Sequence, residues 1–291
     1  MTRYRLKGSV FDRESSGTLE PYRVIFLSVE GKKTEPGYFE GLNRELSWGR
    51  LPFPRCVIKV LKKEDHGSDP GSVISLLDEY LDLRRGQYDQ LFPPIFLEKY
   101  TDDTIERYFQ GLLSVEECLE FEGFAKSCGV PAEGLKRLCD PTTERDVFGV
   151  VIDHDSRLDL QEHLERCRRR GYSVFLTTPC FELWLLMHFV DVLQEYDAQD
   201  LFENRGVSKN HTYVSRELSE IARTNKRVNF DNYADKLLDA IERSRQMGDD
   251  IYCLLKQPGS NLHLLFDIIA GKRESVWEGV SEQVAATREE P

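Results

Sequence analysis

Two short runs of β-branched and aromatic residues, each ended by acid, constrain this chain more than any other feature. Tyr22–Val29 stops at Glu30, and Val147–Ile152 runs into Asp153-His154-Asp155. Nearly continuous apolar runs of this length, without polar alternation, read as strands buried on both faces, the pattern of a mainly parallel sheet. Open parallel sheets take their ligands just beyond the carboxyl ends of the strands. Acids in that position are therefore candidates for chemistry. Three carboxylates that converge repel one another unless a divalent ion or several hydrogen-bond donors offset the charge. A Mg²⁺ or Mn²⁺ site is the expectation.

Around these runs the chain repeats a strand, turn and helix unit. After Glu30 comes the polar turn Gly31-Lys32-Lys33-Thr34, with Thr34 expected as N-cap, Pro36 in the first turn, and Tyr38, Phe39 and Leu42 facing a core. Arg55–Leu61 predicts a second strand, and 66–72 a Gly- and Pro-containing turn. Val73–Arg84 predicts a helix with Ile74, Leu76, Leu77 and Leu81 apolar. Between 86 and 145 the alternation breaks: a turn at Phe92-Pro93-Pro94-Ile95 precedes helical patterns over 103–109, 115–127 and 132–139, which read as an insertion. Asp146–Ile152 is the third expected strand, Leu158–Arg170 a helix, Tyr172–Thr177 the fourth strand, and Thr178-Pro179 the opening of another helix. From Asp191 onward helical patterns at 213–222, 233–245 and 262–270 alternate with polar loops and no strong strand run. The expected organisation is a flexible leader over 1–20 and an α/β domain over 21–190 carrying the 86–145 helical insertion. A helical C-terminal lobe over 191–270 and a charged, partly disordered tail over 271–291 follow.

The formal charge of −12, from 51 acids against 39 bases, argues against a nucleic-acid coat held by bulk electrostatics. It leaves room for a nuclease that meets phosphates through metal ions and a local basic stripe. Arg166, Arg168, Arg169 and Arg170 offer such a stripe, or simply favour a helix C-terminus before Gly171. No window approaches the roughly 18 consecutive apolar residues of a membrane helix, and the N-terminus lacks the apolar segment of a secretory signal. A cytoplasmic protein without membrane contact is expected. Seven cysteines with no C-x-x-C pair suit neither a disulfide framework nor a structural zinc site. Gly31-Lys32-Lys33-Thr34 is not a P-loop, because Phe26 and Lys33 stand where that pattern needs Gly and Ser or Thr.

Asp153 and Asp155, at i and i+2 of an extended chain, would point to one side about 6 to 7 Å apart at the backbone and reach one octahedral cation. Acids capping the helix that follows are the competing reading. Glu30 joins them if the first strand lies beside the third; otherwise it is a solvated turn residue. Glu35 opens the helix after the first strand, where a carboxylate also complements the helix dipole without a metal. Glu182 lies in the apolar run Cys180–Met187, where an unpaired acid is costly to bury. Its partner is a metal, or His188, Lys33 or an arginine in a structural pair. Lys32 and Lys33 could hold a phosphate as point charges, or form a basic surface turn.

Four motifs carry a resemblance: Val29-Glu-Gly-Lys-Lys-Thr-Glu-Pro-Gly-Tyr-Phe39, Asp153-His-Asp155, Thr178-Pro-Cys-Phe-Glu-Leu-Trp184 with Leu185-Leu-Met-His-Phe189, and Gly259-Ser-Asn-Leu-His263. Together they resemble the Toprim-like RloB/AbiLii family of bacterial antiphage defence proteins, over most of 22–61 and 146–270. The resemblance implies a Toprim-like fold whose glutamate after the first strand and D-x-D after a later strand bind divalent metal for phosphodiester chemistry. Glu30, Asp153 and Asp155 match by position. Glu35 is similar to the second acid of the related overcoming-lysogenization-defect nucleases. Two departures stand out: the 86–145 segment looks longer than the family's usual link, and Thr178 stands where Asn is expected.

The leading expectation is a Mg²⁺- or Mn²⁺-dependent nuclease effector of an abortive-infection system, cleaving DNA or RNA. Glu30, Lys32 and Lys33 are its candidate catalytic residues, and Glu30, Glu35, Asp153, Asp155 and Glu182 its candidate metal ligands. The resemblance further implies a separate sensor ATPase of AAA or ABC type as partner, and a homodimer is a family-level expectation. The competing readings are a non-enzymatic acidic effector that binds a partner ATPase or phage protein, and a phosphoryl or nucleotidyl transferase sharing the metal chemistry.

Overall fold

The computed structural model describes residues 23–61, 69–84, 88–90, 92–130, 132, 145–155, 160–209, 211–222 and 228–278. The 1–20 leader and nearly all of the helix expected over 132–139 lie outside these residues.

The expected α/β architecture is present as a five-stranded, mainly parallel sheet flanked by helices. β1 (Arg23–Val29) leads into α1 (Thr34–Ser47), β2 (Cys56–Leu61) and α2 (Pro70–Arg84). The insertion supplies α3 (Pro94–Lys99), α4 (Asp102–Phe109) and α5 (Val115–Ser127). Then come β3 (Val147–Asp153), α6 (Leu160–Arg170), β4 (Ser173–Thr178) and α7 (Phe181–Leu186). The sheet order is β2-β1-β3-β4 with a short β7 (Gly259–Ser260) at the edge, and only the β4–β7 pair is antiparallel.

All seven residues of β1 are buried, as the unbroken apolar run requires. Ile25, Leu27 and Val29 face one core with α1 and α7, while Val24 and Phe26 face a second core with α2 and α6. Each such fully buried aliphatic or aromatic side chain stabilises the fold by roughly 1.5 to 3 kcal/mol relative to exposure. Because β1 pairs with β2 on one side and β3 on the other, the chain's direction of travel across the sheet reverses between β1 and β3. That reversal is the switch point where open α/β sheets hold ligands.

The C-terminal region departs from the expected appended helical lobe. Its helices are α8 (Val192–Glu195), α9 (Ala198–Glu203), α10 (Tyr213–Ala222), α11 (Leu237–Gln246), α12 (Ile251–Leu254) and α13 (His263–Ile269), with a hairpin of β5 (Gly206–Ser208) and β6 (His211–Thr212) after α9. β7 completes the main sheet, and Leu264, Leu265, Ile268 and Ile269 share one apolar core with α1 and β1. β7 escaped the sequence reading because two residues carry no period. Asn261 extends this edge by side chain, accepting the Leu176 N–H at 2.7 Å and donating to the Val174 carbonyl at 3.0 Å. The charged segment after Gly271 is likewise anchored at its start: Val276 is buried, Trp277 Nε1 donates to the Tyr172 carbonyl at 2.8 Å, and Glu274 pairs with the buried Arg23 at 2.6 Å.

The insertion has an apolar core of its own, built from Phe92, Phe96, Ile105, Tyr108, Phe121, Ala125, Val130 and Ala132. Ser114 and Glu117 form a capping box that starts α5. Ile95, Leu112, Val115 and Leu119 of this unit are large apolar residues left exposed.

Candidate metal centre

Glu30 and Asp153 meet at the switch point. β3 ends at Asp153, whose backbone N–H donates to Glu30 Oε2 at 3.2 Å. Parallel register between β1 and β3, with Val29 opposite Val151, brings the two strand ends level. Glu35 enters from the first turn of α1, where its Oε1 accepts the Gly31 N–H at 2.9 Å. Gly31 is required for this approach, since a Cβ at that position would lie 1.9 Å from Glu35 Oε2. Glu182 comes from the first turn of α7, which packs with Tyr38, Phe39 and Phe181 under the same strand ends.

The four carboxylates lie near enough to act on one another. Burial raises the Glu35 carboxyl from 4.5 to about 7, with the charges of Glu182 and Glu30 adding to the shift and backbone hydrogen bonds opposing it. Burial also pushes Asp153 well above its usual range, reinforced by Glu35, Glu182 and Glu30 in that order. Such a cluster is electrostatically unfavourable when fully ionised, and protons or a cation relieve it. Among the described residues, no group of three or more His, Cys, Asp or Glu side chains stands at a spacing ready to hold a metal ion.

Several sequence expectations change here. Asp155 lies beyond the strand: β3 stops at Asp153, the chain bends at 155, and Asp155 is exposed. The i, i+2 rule holds only while the backbone stays extended. His188 is not the partner of Glu182, because its Nε2 meets Tyr38 Oη at 3.1 Å and its Nδ1 meets the Trp184 carbonyl at 3.0 Å. Full burial among these groups lowers the His188 imidazole to about 3, so it is neutral. Thr34 is the first helical residue of α1, with Lys33 in the cap position, and no side chain caps this end. Lys32 and Lys33 are exposed in the turn beside Glu30. The arginine stripe is partly consumed structurally: Arg166 pairs with Asp78 at 2.5 Å, and Arg170 lies 3.7 Å from the same carboxylate. Thr178 donates to the Leu254 carbonyl at 2.6 Å from a buried position, which is a structural tie.

Two groups beside the cluster were not singled out from sequence. Cys180, at the N-cap of α7, is influenced by Glu182 and Asp153, and its thiol is held well above its usual range, first by burial. His154 is buried with Nδ1 lacking a hydrogen-bond partner, and its ring lies 6.3 Å from that of Phe202. Burial lowers its imidazole, opposed by Asp155. Residues of and just after α9, which the sequence showed only as a polar stretch, contact both of them: Phe202 the His154 ring and Asn204 the Cys180 sulfur. A Ser244–His263–Asp249 chain also exists, but Ser244 and His263 are fully enclosed and Ser244 Oγ donates to the Ser260 carbonyl at 2.6 Å. It pins α11 to α13.

The fold and site together define an α/β protein with an acidic cluster at the carboxyl-end switch point of a mainly parallel sheet. A family model described as RloB-like protein matches residues 25–269. The chain belongs to the RloB-like family. No curated protein and no solved structure matches it.

Proposed function

We propose that the acidic cluster is the divalent-metal centre of a Toprim-like nuclease that acts as an effector in antiphage, abortive-infection defence. The observation that carries this reading is the convergence of Glu30, Glu35, Asp153 and Glu182 at the one place in the sheet where ligand chemistry is expected. The donor set suits Mg²⁺ or Mn²⁺, which take carboxylate oxygen and retain water. The fit is also steric: Gly31 leaves a cradle that Glu35 enters, and any larger residue would close it.

When bound, the ion supplies an activated water and stabilises the leaving oxygen of a phosphodiester. Asp153, Glu182 and Glu35 are the carboxylates that would hold it. Glu30, oriented by the Asp153 N–H, is placed to ligate and to exchange a proton with water or leaving group. Lys32 and Lys33, exposed beside Glu30, meet the non-bridging phosphate oxygens. Asp155, exposed two residues beyond Asp153, is the further carboxylate that the D-x-D pattern offers.

Single- and double-stranded DNA and RNA incubated with Mg²⁺ or Mn²⁺ test the reading. Cleavage by the wild type and its loss in Glu30→Gln and Asp153→Asn support it; equal cleavage by all three sinks the site assignment. Labelled nucleotides separate hydrolysis from phosphoryl or nucleotidyl transfer.

In the same reading the chain works beside a separate sensor ATPase. Its contact surface is the insertion, where Ile95, Leu112, Val115 and Leu119 are exposed on a self-contained unit. That surface is also what favours the second reading, a non-enzymatic effector that only binds its partner. Calorimetry with Mn²⁺ discriminates, because a pure binder has no ion site dependent on the four acids. Among the described residues no helix is long and apolar enough to cross a membrane.

A further inference from the structure

We infer that Trp48 and Arg50, at the far end of α1 from the acidic cluster, form a stacking platform for one unpaired nucleotide of the nucleic acid that the proposed centre acts on. The inference rests on the nuclease reading above and adds what that reading leaves open, a substrate with a single-stranded stretch.

The platform follows from how α1 ends. The helix stops at Ser47, and Gly49 takes a left-handed backbone, φ 66°. The Gly49 N–H donates to the Leu46 carbonyl at 3.1 Å and the Arg50 N–H to the Glu45 carbonyl at 3.0 Å. This is a Schellman turn, in which the residue after the glycine commonly packs an apolar side chain back on the helix. Here that residue is Arg50. Its guanidinium lies 4.1 Å from the centre of the Trp48 ring, and the guanidinium of Arg44, one turn back on α1, lies 5.7 Å from it. The buried Glu45 steadies both, with Oε1 3.4 Å from Arg44 Nε and 3.5 Å from Arg50 Nη1, while Asp231 holds Arg44 Nη2 at 2.5 Å.

The core has no use for this arrangement. Trp48 is 55% exposed with the arginine lying on it, whereas Trp184 is fully buried. An indole left in water forgoes the stabilisation that burying so large a ring brings. A protein-binding hot spot surrounds its tryptophan with contacts that exclude water. Trp48 lacks such a surround in its own segment: Gly49, Arg50, Pro52, Pro54 and Arg55 are exposed, and Leu51 and Phe53 turn inward against the core. A lone aromatic face with guanidinium groups beside it fits a nucleotide instead, since a base stacks on the ring and a guanidinium meets the phosphate. Arg50 is 61% exposed and gives one N–H to Glu45, which leaves donors among its five for a phosphate. In a chain of net charge −12, stacking supplies affinity that bulk attraction does not.

α1 also sets a distance. Glu35 lies in its first turn and Trp48 at its C-cap, and α1 has 14 residues. At about 1.5 Å of rise per residue the platform stands about 20 Å from the cluster. Stacked nucleotides advance about 3.4 Å each along a strand, so roughly six separate the anchored base from the scissile phosphate. The anchored base must be unpaired, because a base inside a duplex has both faces covered by its neighbours.

The test uses the full chain in EDTA, so that binding is read without cleavage. Labelled single strands of DNA and RNA of about 12 nucleotides, and the blunt duplex of the same sequence, are followed by fluorescence anisotropy. The wild type should bind single strands, and the tighter of the two identifies the nucleic acid. Trp48→Ala should weaken single-strand binding about tenfold and duplex binding by less than about twofold. Trp48→Phe keeps a ring and should retain most of the affinity while losing the quenching of tryptophan fluorescence that the wild type shows. Arg50→Gln should reduce the slope of log affinity against log salt by about 0.7. Both positions are exposed, and urea melts confirm that the variants fold. Unchanged single-strand affinity in Trp48→Ala overturns the inference, and so does an equal loss for strand and duplex, the signature of charge without stacking. A wild type that binds no single strand overturns it as well and leaves the exposed indole to a protein partner. Cleavage assays with Mn²⁺ keep the two readings apart. Cleavage lost in Asp153→Asn, with Trp48→Ala binding like the wild type, removes the platform alone; Trp48-dependent binding without cleavage under any ion removes the metal centre alone.

Discussion

The Glu30 carboxylate accepts the backbone N–H of Asp153 at 3.2 Å, joining two strand ends that are 123 positions apart in the chain. The bond orients Glu30 across the sheet's switch point and brings its charge against Asp153, Glu35 and Glu182. On the proposed reading, ion binding and instability of the ion-free protein have the same origin. Glu35→Gln keeps an oxygen for the Gly31 N–H but removes one charge. It is expected to raise the melting temperature of the metal-free protein by a few degrees, corresponding to about 1 kcal/mol, while weakening Mn²⁺ binding. Scanning calorimetry and titration calorimetry on the same sample check both signs; a variant that is less stable and binds Mn²⁺ normally contradicts the assignment.

The Glu35 shift has a definite consequence for pH. Its carboxyl ionises near 4.5 when unfolded and at about 7 when folded, so between these values the folded state holds the extra proton. Stability of the metal-free protein therefore falls as pH rises from about 4.5 to 7 and levels off above. For this one group the loss is roughly 3 kcal/mol. Asp153 is shifted in the same direction and adds to the slope, with Glu30 and Glu182 as the facing charges. Urea melts across this range check it, and saturating Mn²⁺ should flatten or reverse the trend.

Mn²⁺ at about 100 times its dissociation constant should stabilise the folded chain by about 2.7 kcal/mol, and a chelator should abolish the gain. Asp153→Asn should show no such gain. Thermal melts with and without the ion read this directly.

Gly31→Ala is expected to cost the site more than the fold. The added methyl would overlap Glu35 Oε2, so the flexible carboxylate must turn away. Mn²⁺ affinity should drop about tenfold or more, with a stability change within about 1 kcal/mol. Calorimetric titration and urea melts measure the two separately.

Asp78 is a structural counterpart. It accepts from Tyr172 Oη and Arg166 at 2.5 Å each, with Arg170 at 3.7 Å. Asp78→Ala should destabilise the protein by about 2 kcal/mol, the value discounted because both arginines are well exposed. It should leave Mn²⁺ binding unchanged, in contrast to any of the four clustered acids. Urea melts and Mn²⁺ titration of the variant provide the check.

Much of this was legible in the chain. Buried parallel strands must be apolar on both faces, so Val24–Val29 and Val147–Ile152 announced themselves, and the acids that follow them fall at their carboxyl ends by covalent connection. α1 and α6 were readable because one apolar face per turn leaves a period. β7 was not, being two residues long and held by pairing with β4 and by the Asn261 side chain.

The site divides along the same line. That Glu30 and Asp153 terminate strands follows from local pattern, and so does the placing of Glu35 and Glu182 at helix starts. Which acids converge depends on strand order, register and the path of the chain beyond each strand, all of which arise from contacts between distant segments. The chain bends at Asp155, two residues past β3, and leaves that side chain exposed, while packing after α9 brings Asn204 to Cys180. Local propensity acts over a few residues, whereas these distances are set by the packing of the whole core.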